Sequence, residues 1–500
     1  MPSTPRADLV PNTLAFETTP LVKATGFREY DARWILDDGI NLLGLQALGL
    51  GLGTYVHERG IAPRVVVGHD FRSYSLSVKQ ALTLGLIAAG CEVLDIGLAL
   101  SPMAYFAQFD LGAPAVAMVT ASHNENGWTG VKMGVEPPLT FGPDEMGRLK
   151  QLVLDGEGVE RPGGKLTRVE GVMGRYIADA ASRVQVKRPL KVVAACGNGT
   201  AGAFAPEALR RMGVEVIPMD AELDYTFPRY NPNPEDHHML QSMAAAVRET
   251  GADLCFGFDG DGDRCGVVDD EGEEIYADKV GLMLARDLSV RHENATFVVD
   301  VKSTGLYATD PVLKANGAKV VYWKTGHSYI KRKTSELGAL AGFEKSGHFF
   351  MNAPLGRGYD DALVAAAAIL AMLDRNPGQK LSDLRKALPV AWTSLTMSPH
   401  CADEAKYGVV DDVVREYQDL AASGGSILGR EIVEVITVNG VRAALEDGSW
   451  VLVRASSNKP ELVVVVESMR SEDDMRALFH KEVRPRLAKR PEVGAYNQEV

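Results

Sequence analysis

Leu254–Arg264 reads LCFGFDGDGDR, a short apolar run that passes straight into three aspartates, Asp259, Asp261 and Asp263, spaced two residues apart. Carboxylates at that spacing repel one another unless a cation neutralises them. The glycines between them let the backbone fold so that all three oxygens converge on one ion, and oxygen-only ligation favours a hard cation, Mg²⁺ or Ca²⁺. An EF-hand loop does not fit. Its sixth position would be Arg264 and its twelfth Asp270, and a strand rather than a helix leads in. A solvated acidic turn is the remaining alternative.

The same grammar, a β-branched run followed by a polar or Gly-rich loop, recurs on both sides. It is found at Arg64–Gly68 (then HDFRS), Ala115–Thr120 (then ASHNENG), Leu190–Ala195 (then CGNGTAG), Thr296–Val301 (then KSTG), Lys319–Trp323 (then KTGHS) and Leu340–Phe343 (then EKSGH). Helix-period segments such as Ser77–Ala89 and Pro206–Met212 lie between them. Strands alternating with helices predict an α/β chain on mixed, mainly parallel sheets, with ligands beyond the carboxyl ends of the strands. Past Asn376–Gln379 the texture changes. Ile432–Val438, Trp450–Arg454 and Leu462–Glu467 read as antiparallel strands, with a helix around Glu472–Phe479. A chain of 500 residues holds three to four domains at ~150 residues each. We therefore expect three similar α/β domains, over 1–165, 166–275 and 276–385, and a smaller α+β domain over 386–500.

The net charge of −13 is the wrong sign for a protein that lives on nucleic acid or an anionic membrane. Five cysteines form no C-x-x-C pair, which argues against a disulfide framework or a structural zinc site. The most continuous apolar stretch, Leu363 to Leu373, is short of the ~18 residues a bilayer requires. The N-terminal stretch has Pro2, Pro5 and Pro11 and no apolar core of a signal peptide, so a reducing, cytoplasmic setting is expected.

Other loops admit two readings each. Ser122, in TASHN, is a nucleophile or phosphate carrier at a strand end, or a cap of the next element. No G-x-S-x-G elbow surrounds it. Gly197–Gly202 (GNGTAG), with Asp220 after the next apolar run, is a dinucleotide loop or a glycine turn for close packing. Glu344–His348 (EKSGH) offers a carboxylate to sugar hydroxyls and a neutral-range imidazole, or is a polar turn. Arg454–Pro460 (RASSNKP) is a phosphate-binding concavity or a hairpin turn of Ser, Asn and Pro.

Taken in order, FREYDAR, TASHN with GVK, DGDGDR, DVKST, KTGHS, EKSGH and RASSN resemble the α-D-phosphohexomutases, in their phosphomannomutase/phosphoglucomutase branch, from Phe27 to about Glu467. The resemblance implies four domains around a central cleft and a catalytic phosphoserine at Ser122. It implies Mg²⁺ held by Asp259, Asp261, Asp263 and that phosphoserine. Glu344 and Ser346 would grip sugar hydroxyls, and Arg454, Ser456, Ser457 and Asn458 would hold the substrate phosphate. Arg33, His123, Lys132, Arg264, Lys302, His327 and His348 fall on family site positions, and Tyr30 on a substrate contact. Lys132 or His348 would move the proton.

The activity implied is interconversion of hexose 6-phosphate and hexose 1-phosphate (mannose, glucose or both), with hexose 1,6-bisphosphate as intermediate and activator. The implied partner is a small phosphosugar, with no nucleic acid or membrane, in a monomer or small homo-oligomer. Two departures stand out: the serine loop continues as NENGWTG (Asn124–Gly130) where N-P-x-x-Y-N-G is common, and Lys345 stands where Met is frequent. A phosphoglucosamine mutase is the nearest rival, followed by a dinucleotide-dependent oxidoreductase and a non-catalytic sugar-phosphate sensor.

Overall fold

The computed structural model describes residues 4–456 and 459–500. They form two compact units, residues 1–277 with 346–382 and residues 278–345 with 383–500.

The first unit opens with six strands: β1 (Ala32–Ile35), β2 (Arg64–His69), β3 (Glu92–Leu98), β4 (Ala115–Val119), β5 (Trp128–Gly134) and β6 (Lys165–Arg168). They lie in the order β1-β5-β4-β2-β3-β6. The neighbours β2, β3, β4 and β6 pair in parallel, while β5 returns antiparallel to both β4 and β1. Val, Ala and Met fill β2 and β4 because helices cover both sides of a parallel sheet. Leu45, Leu48 and Leu52 of the helix Leu42–Glu58 join Val65, Val67, Ala115 and Ala117 in one core. β6 lies across the expected 165/166 division yet belongs to this first sheet. The register pairs His69 with Val119, so the ends of β2 and β4 release their loops side by side.

A second sheet follows, built of β7 (Lys191–Ala195), β8 (Glu215–Met219), β9 (Leu254–Phe258), β10 (Cys265–Asp269) and β11 (Glu274–Ile275), in the order β11-β10-β9-β7-β8. The run LCFGF is β9, parallel to β7, and the chain turns straight back as antiparallel β10 with Phe258 opposite Cys265. The aspartate loop is therefore the turn of a buried antiparallel pair.

In the second unit β12 (Thr296–Asp300) runs between and parallel to β13 (Lys319–Trp323) and β14 (Ala341–Phe343). The chain passes back to the first unit within EKSGH and forms β15 (Phe349–Met351) there. The closing strands are β16 (Trp392–Thr393), β17 (Ser426–Ile427), β18 (Arg430–Ile436), β19 (Val441–Leu445), β20 (Trp450–Ala455) and β21 (Leu462–Ser468). They pair antiparallel in the order β16-β21-β20-β19-β18-β17. One face of β20 and β21, through Val451, Val453, Val464 and Val466, packs on Val410, Val413 and Tyr417 of the helix Asp403–Ala422. The other face, Trp450, Leu452, Val463 and Val465, packs on Val301 and Tyr322. These strands are buried on both sides, which is why their sequences are apolar throughout rather than alternating. No described helix is long and apolar enough to cross a membrane.

Candidate functional site

Ser122 lies just past β4, buried, with φ at 53°. The left-handed region costs a residue with a β-carbon about 1–2 kcal/mol, so its surroundings must hold it there. Asp70, fully buried after β2, does much of this. It accepts from Ser75 Oγ (2.5 Å), Thr120 Oγ1 (2.9 Å), the Ala121 amide (3.2 Å) and the Arg72 guanidinium. Arg72 in turn donates to the carbonyls of Ser122 (2.9 Å) and Asn124 (2.7 Å), and Thr120 Oγ1 accepts the Ser122 amide at 2.8 Å. Arg33 donates to the Thr120 carbonyl and to Asp31. The Asn231 side chain donates to the His123 carbonyl. Sequence reasoning misses Asp70, Arg72 and Ser75, although they stand in and beside HDFRS. An aspartate just past a strand reads as an ordinary turn residue.

The aspartate loop meets this serine. Ser122 Oγ is 3.2 Å from Asp259 Oδ2 and 3.2 Å from His123 Nδ1. A β-carbon at Gly260 would lie 2.5 Å from the Ser122 carbonyl oxygen, so the close approach of the two loops requires glycine there. Asp259, Asp261 and Asp263 are fully buried, and one oxygen of each lies within 4.8 Å of the others. Asp259 Oδ1 accepts the amides of Asp263 and Arg264 (3.1 and 3.2 Å), and Ser101 donates to Asp261 at 2.6 Å. Asp261 Oδ1 and Asp263 Oδ1 have no hydrogen-bond partner among the described residues. Buried acceptors left that way are costly, and a hard cation suits them. The donor set fits the divalent ion expected from the sequence.

Electrostatics separate the members of the cluster. Burial, with Asp261 and Asp263 alongside, pushes the Asp259 carboxyl well above its usual range. Burial also opposes charge on Asp261, but Lys132 at 2.8 Å overcomes it and holds that carboxyl low. Lys132 also contacts Asp263; the two carboxylates outweigh its burial and raise the ammonium well above its ordinary value. The half-buried His123 is pushed well down by burial and by Arg264 and Arg33, so its imidazole is neutral. Burial alone would lower Arg33, but Asp31 and Asp261 hold it up.

Beyond Lys132, the bridge between Arg264 and His348 brings the tail of EKSGH onto the aspartate loop. Arg264 Nε donates to His348 Nε2 at 3.0 Å, and His348 Nδ1 lies 3.0 Å from Asp360 and 3.7 Å from Asp263. That pattern places the ring proton on Nδ1. Burial opposes a charge on His348, while Asp263 and Asp360 draw its pKa upward. Asp360 is absent from the expected site: it stands in GYDDA, a dozen residues past His348, and the bridge from Phe350 to Asp360, with the Asp361 amide on the Phe349 carbonyl, brings it back. Ser346 is buried in this tail, and Tyr30 is half-buried on the loop into β1. Thr129 shares a face of β5 with the core residues Val131 and Met133, so its buried hydroxyl points away from Lys132.

The second unit gathers its own set. Asp300, fully buried at the end of β12, accepts from Ser303 Oγ (2.6 Å), Thr325 Oγ1 (3.0 Å) and the Lys345 amide (3.3 Å). One carboxylate thus ties together the loops carrying Lys302, His327 and Glu344. His327 starts the helix His327–Glu336, and both it and Glu344 are buried. Arg454 and Ser456 lie at the end of β20 and just beyond, buried, with Arg454 donating to the Ala455 carbonyl at 2.9 Å. Lys406 Nζ donates to the carbonyls of Ser456 (2.6 Å) and Lys459 (3.0 Å) from beneath. Ser457 and Asn458 lie outside the described residues.

The GNGTAG loop does not form a dinucleotide site. Added β-carbons would meet Pro232 at Gly197 (2.8 Å) and the Ala221 carbonyl at Gly202 (2.1 Å), and Thr200 Oγ1 accepts the Phe71 amide at 2.9 Å. The loop leads into a 3₁₀ turn, Thr200–Ala203, rather than directly into a long helix whose N-terminus would face a pyrophosphate. The glycines serve packing.

Comparison with known proteins finds one family along the chain. Profiles of phosphoglucomutase/phosphomannomutase α/β/α domains I, II and III match residues 24–158, 174–272 and 276–391, and the C-terminal domain profile matches 401–484. The chain is 33% identical to the phosphomannomutase/phosphoglucomutase of Pseudomonas putida over 88% of its own length and 91% of that protein. It is 32% identical to a phosphoglucomutase of Neisseria gonorrhoeae over 88% and 92%. Among solved structures, a phosphoglucomutase/phosphomannomutase family protein of Burkholderia thailandensis superposes with a TM-score of 0.85 at 28% identity, covering 95% of this chain and 99% of that one.

Proposed function

For a chain that belongs to the phosphoglucomutase/phosphomannomutase family and is thereby a phosphohexomutase, we propose that Ser122 carries the transferred phosphoryl group. The observation that carries this reading is the serine hydroxyl held 3.2 Å from Asp259, in a left-handed backbone fixed by the Asp70 and Arg72 network.

Asp259, Asp261 and Asp263, with the phosphoserine, would hold Mg²⁺, which when bound offsets charge on the phosphoryl oxygens. Phosphoryl transfer depends on positioning and charge neutralisation more than on covalent chemistry. Arg33, Lys132 and Arg264 are fixed cations for the transferring group, with His123 beside the serine oxygen. The phosphate of a hexose 6-phosphate is held by Arg454 and Ser456 together with Ser457 and Asn458. Lys302, His327, Glu344, Ser346 and Tyr30 contact the sugar. The sugar O1 bonds to phosphorus as the Ser122 Oγ–P bond breaks, and the O1 proton leaves to a base. The hexose 1,6-bisphosphate reorients, Ser122 Oγ bonds to the phosphorus of its 6-phosphate as the O6–P bond breaks, and the proton returns to O6, which releases hexose 1-phosphate and restores the phosphoserine.

Between the two candidates for the proton carrier, geometry favours His348. Lys132 is committed to two carboxylates, and the His348 ring is oriented by Arg264 on one nitrogen and Asp360 on the other, so His348 takes the proton on Nε2 once Arg264 turns to the substrate. Mannose and glucose phosphates are the substrates we expect, in keeping with the names of the relatives.

Ser122→Ala tests the reading. It should abolish mutase turnover and remove an added phosphate seen on the intact protein, while sugar-phosphate binding stays measurable. Near-normal turnover would remove Ser122 from the mechanism.

A further inference from the structure

Arg442 is a charged residue in the middle of an apolar strand, β19, and only 2% of it is exposed. A buried guanidinium is costly unless its donors are used. Its Cζ lies over two rings, 3.8 Å from the Trp450 centroid and 4.1 Å from that of Tyr322, an arrangement that favours a desolvated cation. Among the described residues Nη1 donates to two carbonyls, those of Val301 (2.6 Å) and Ser303 (2.7 Å). These are the residues on either side of Lys302. The rest of the loop is pinned as well: Tyr322 donates to the Thr304 carbonyl at 2.8 Å, and Glu467 accepts from Thr304 Oγ1 (2.9 Å) and the Gly305 amide (2.7 Å).

We propose that Arg442 is a positioning residue for Lys302, acting through the carbonyls that flank it. The Val301 carbonyl lies in the peptide plane that enters Lys302 and the Ser303 carbonyl in the plane one residue beyond it, while the plane between them is held by the Ser303 amide on the Asp300 carbonyl at 2.9 Å; together these bonds fix the direction in which the Lys302 side chain leaves the backbone. A cation borrowed from the closing sheet thereby aims a cation of the β12 loop at the phosphosugar. The proposal rests on the reading of Lys302 as a substrate contact.

A double-mutant cycle in the full-length enzyme tests it. Arg442→Met should raise KM for the hexose phosphate about tenfold while kcat stays within about threefold, because a displaced contact loses binding rather than chemistry. Arg442→Lys keeps the charge but ends on a shorter stem and lacks the planar group that lies over the rings and carries Nη1 to the carbonyls, so KM should rise by an intermediate amount, about threefold, even if the Met variant folds poorly. Adding either change to Lys302→Ala should alter kcat/KM by less than about twofold, since the residue being aimed is gone. Effects that multiply in the double variant would overturn the positioning role and leave the Lys302 assignment standing. Wild-type kinetics for Lys302→Ala itself would sink that assignment and the proposal together.

Discussion

Asp70 and Asp300 hold equivalent posts, each fully buried at the carboxyl end of a strand flanked in parallel on both sides, yet they are supported differently. Asp70 has its counter-charge close by: Arg72, two residues on, bonds both the aspartate and the serine loop. Asp300 is served by hydroxyls and one amide, from Ser303, Thr325 and Lys345. The cation that steadies its loop is Arg442, far away in sequence, and it bonds carbonyls rather than the carboxylate. In the first arrangement charge is matched within one loop, and the loop is held in a strained shape. In the second, neutral donors join three loops and a remote strand supplies the charge. The serine loop needs the tighter hold because Ser122 carries a positive φ, whereas the three loops around Asp300 need only a common register.

The largest effect should come from breaking the matched pair. Asp70→Asn leaves the Arg72 guanidinium buried beside a neutral amide, a type of loss worth about 3 kcal/mol or more, and frees the Ser122 loop. The expected outcome is a clear fall in thermal unfolding midpoint together with loss of phosphate on Ser122, read by melting and intact-mass measurement. If the variant melts like the wild type and still carries phosphate, the serine loop is not held by Asp70.

Asp300→Asn should cost less, about 1–2 kcal/mol, because neutral donors lose a partner while the buried Arg442 keeps its carbonyl hydrogen bonds and the charge of Glu467. Its signature is also different. Ser122 should still take up phosphate, while KM for the sugar phosphate rises as the Lys302, His327 and Glu344 loops lose their shared anchor. A variant that lost serine phosphorylation instead would show that the two scaffolds are not separable in this way.

How far the sequence announces these scaffolds depends on distance along the chain. The aspartate triplet is legible because three carboxylates two residues apart cannot share a buried turn without a cation among them. The turn of β9 into β10 then places them as the spacing requires. The serine loop is legible as a polar loop after an apolar strand. Asp70 and Asp300 stand inside HDFRS and TFVVDV, but a lone aspartate at a strand end is common, and its role lies in partners as distant as Thr120 and Lys345. Arg442, Glu467, Lys406 and Asp360 are silent in the sequence for the same reason. Each is a charged group in a buried position whose partners come from another element. A polar residue inside an apolar run, as in VRAAL or LVVVVES, is the signal that could find two of them, because burial obliges such a group to be paired. GNGTAG shows the converse: a local pattern overruled by tertiary packing on Pro232 and Ala221.

Lys406 extends the contrast to the last loop and should give the smallest effect. Here the polarity is inverted, with an ammonium beneath the loop holding the Ser456 and Lys459 carbonyls, as Arg442 holds those of Val301 and Ser303. Its carboxylate partner, Asp403, is 64% exposed and can return to water if the lysine is removed. Lys406→Met keeps the apolar stem packed and deletes only the ammonium, so stability should fall by about 1 kcal/mol. On the proposed role of this loop in holding the substrate phosphate, KM for the hexose phosphate should rise roughly fivefold with kcat little changed. A matching fall in kcat at constant KM would mean that this loop serves the transfer step itself rather than the capture of the distal phosphate.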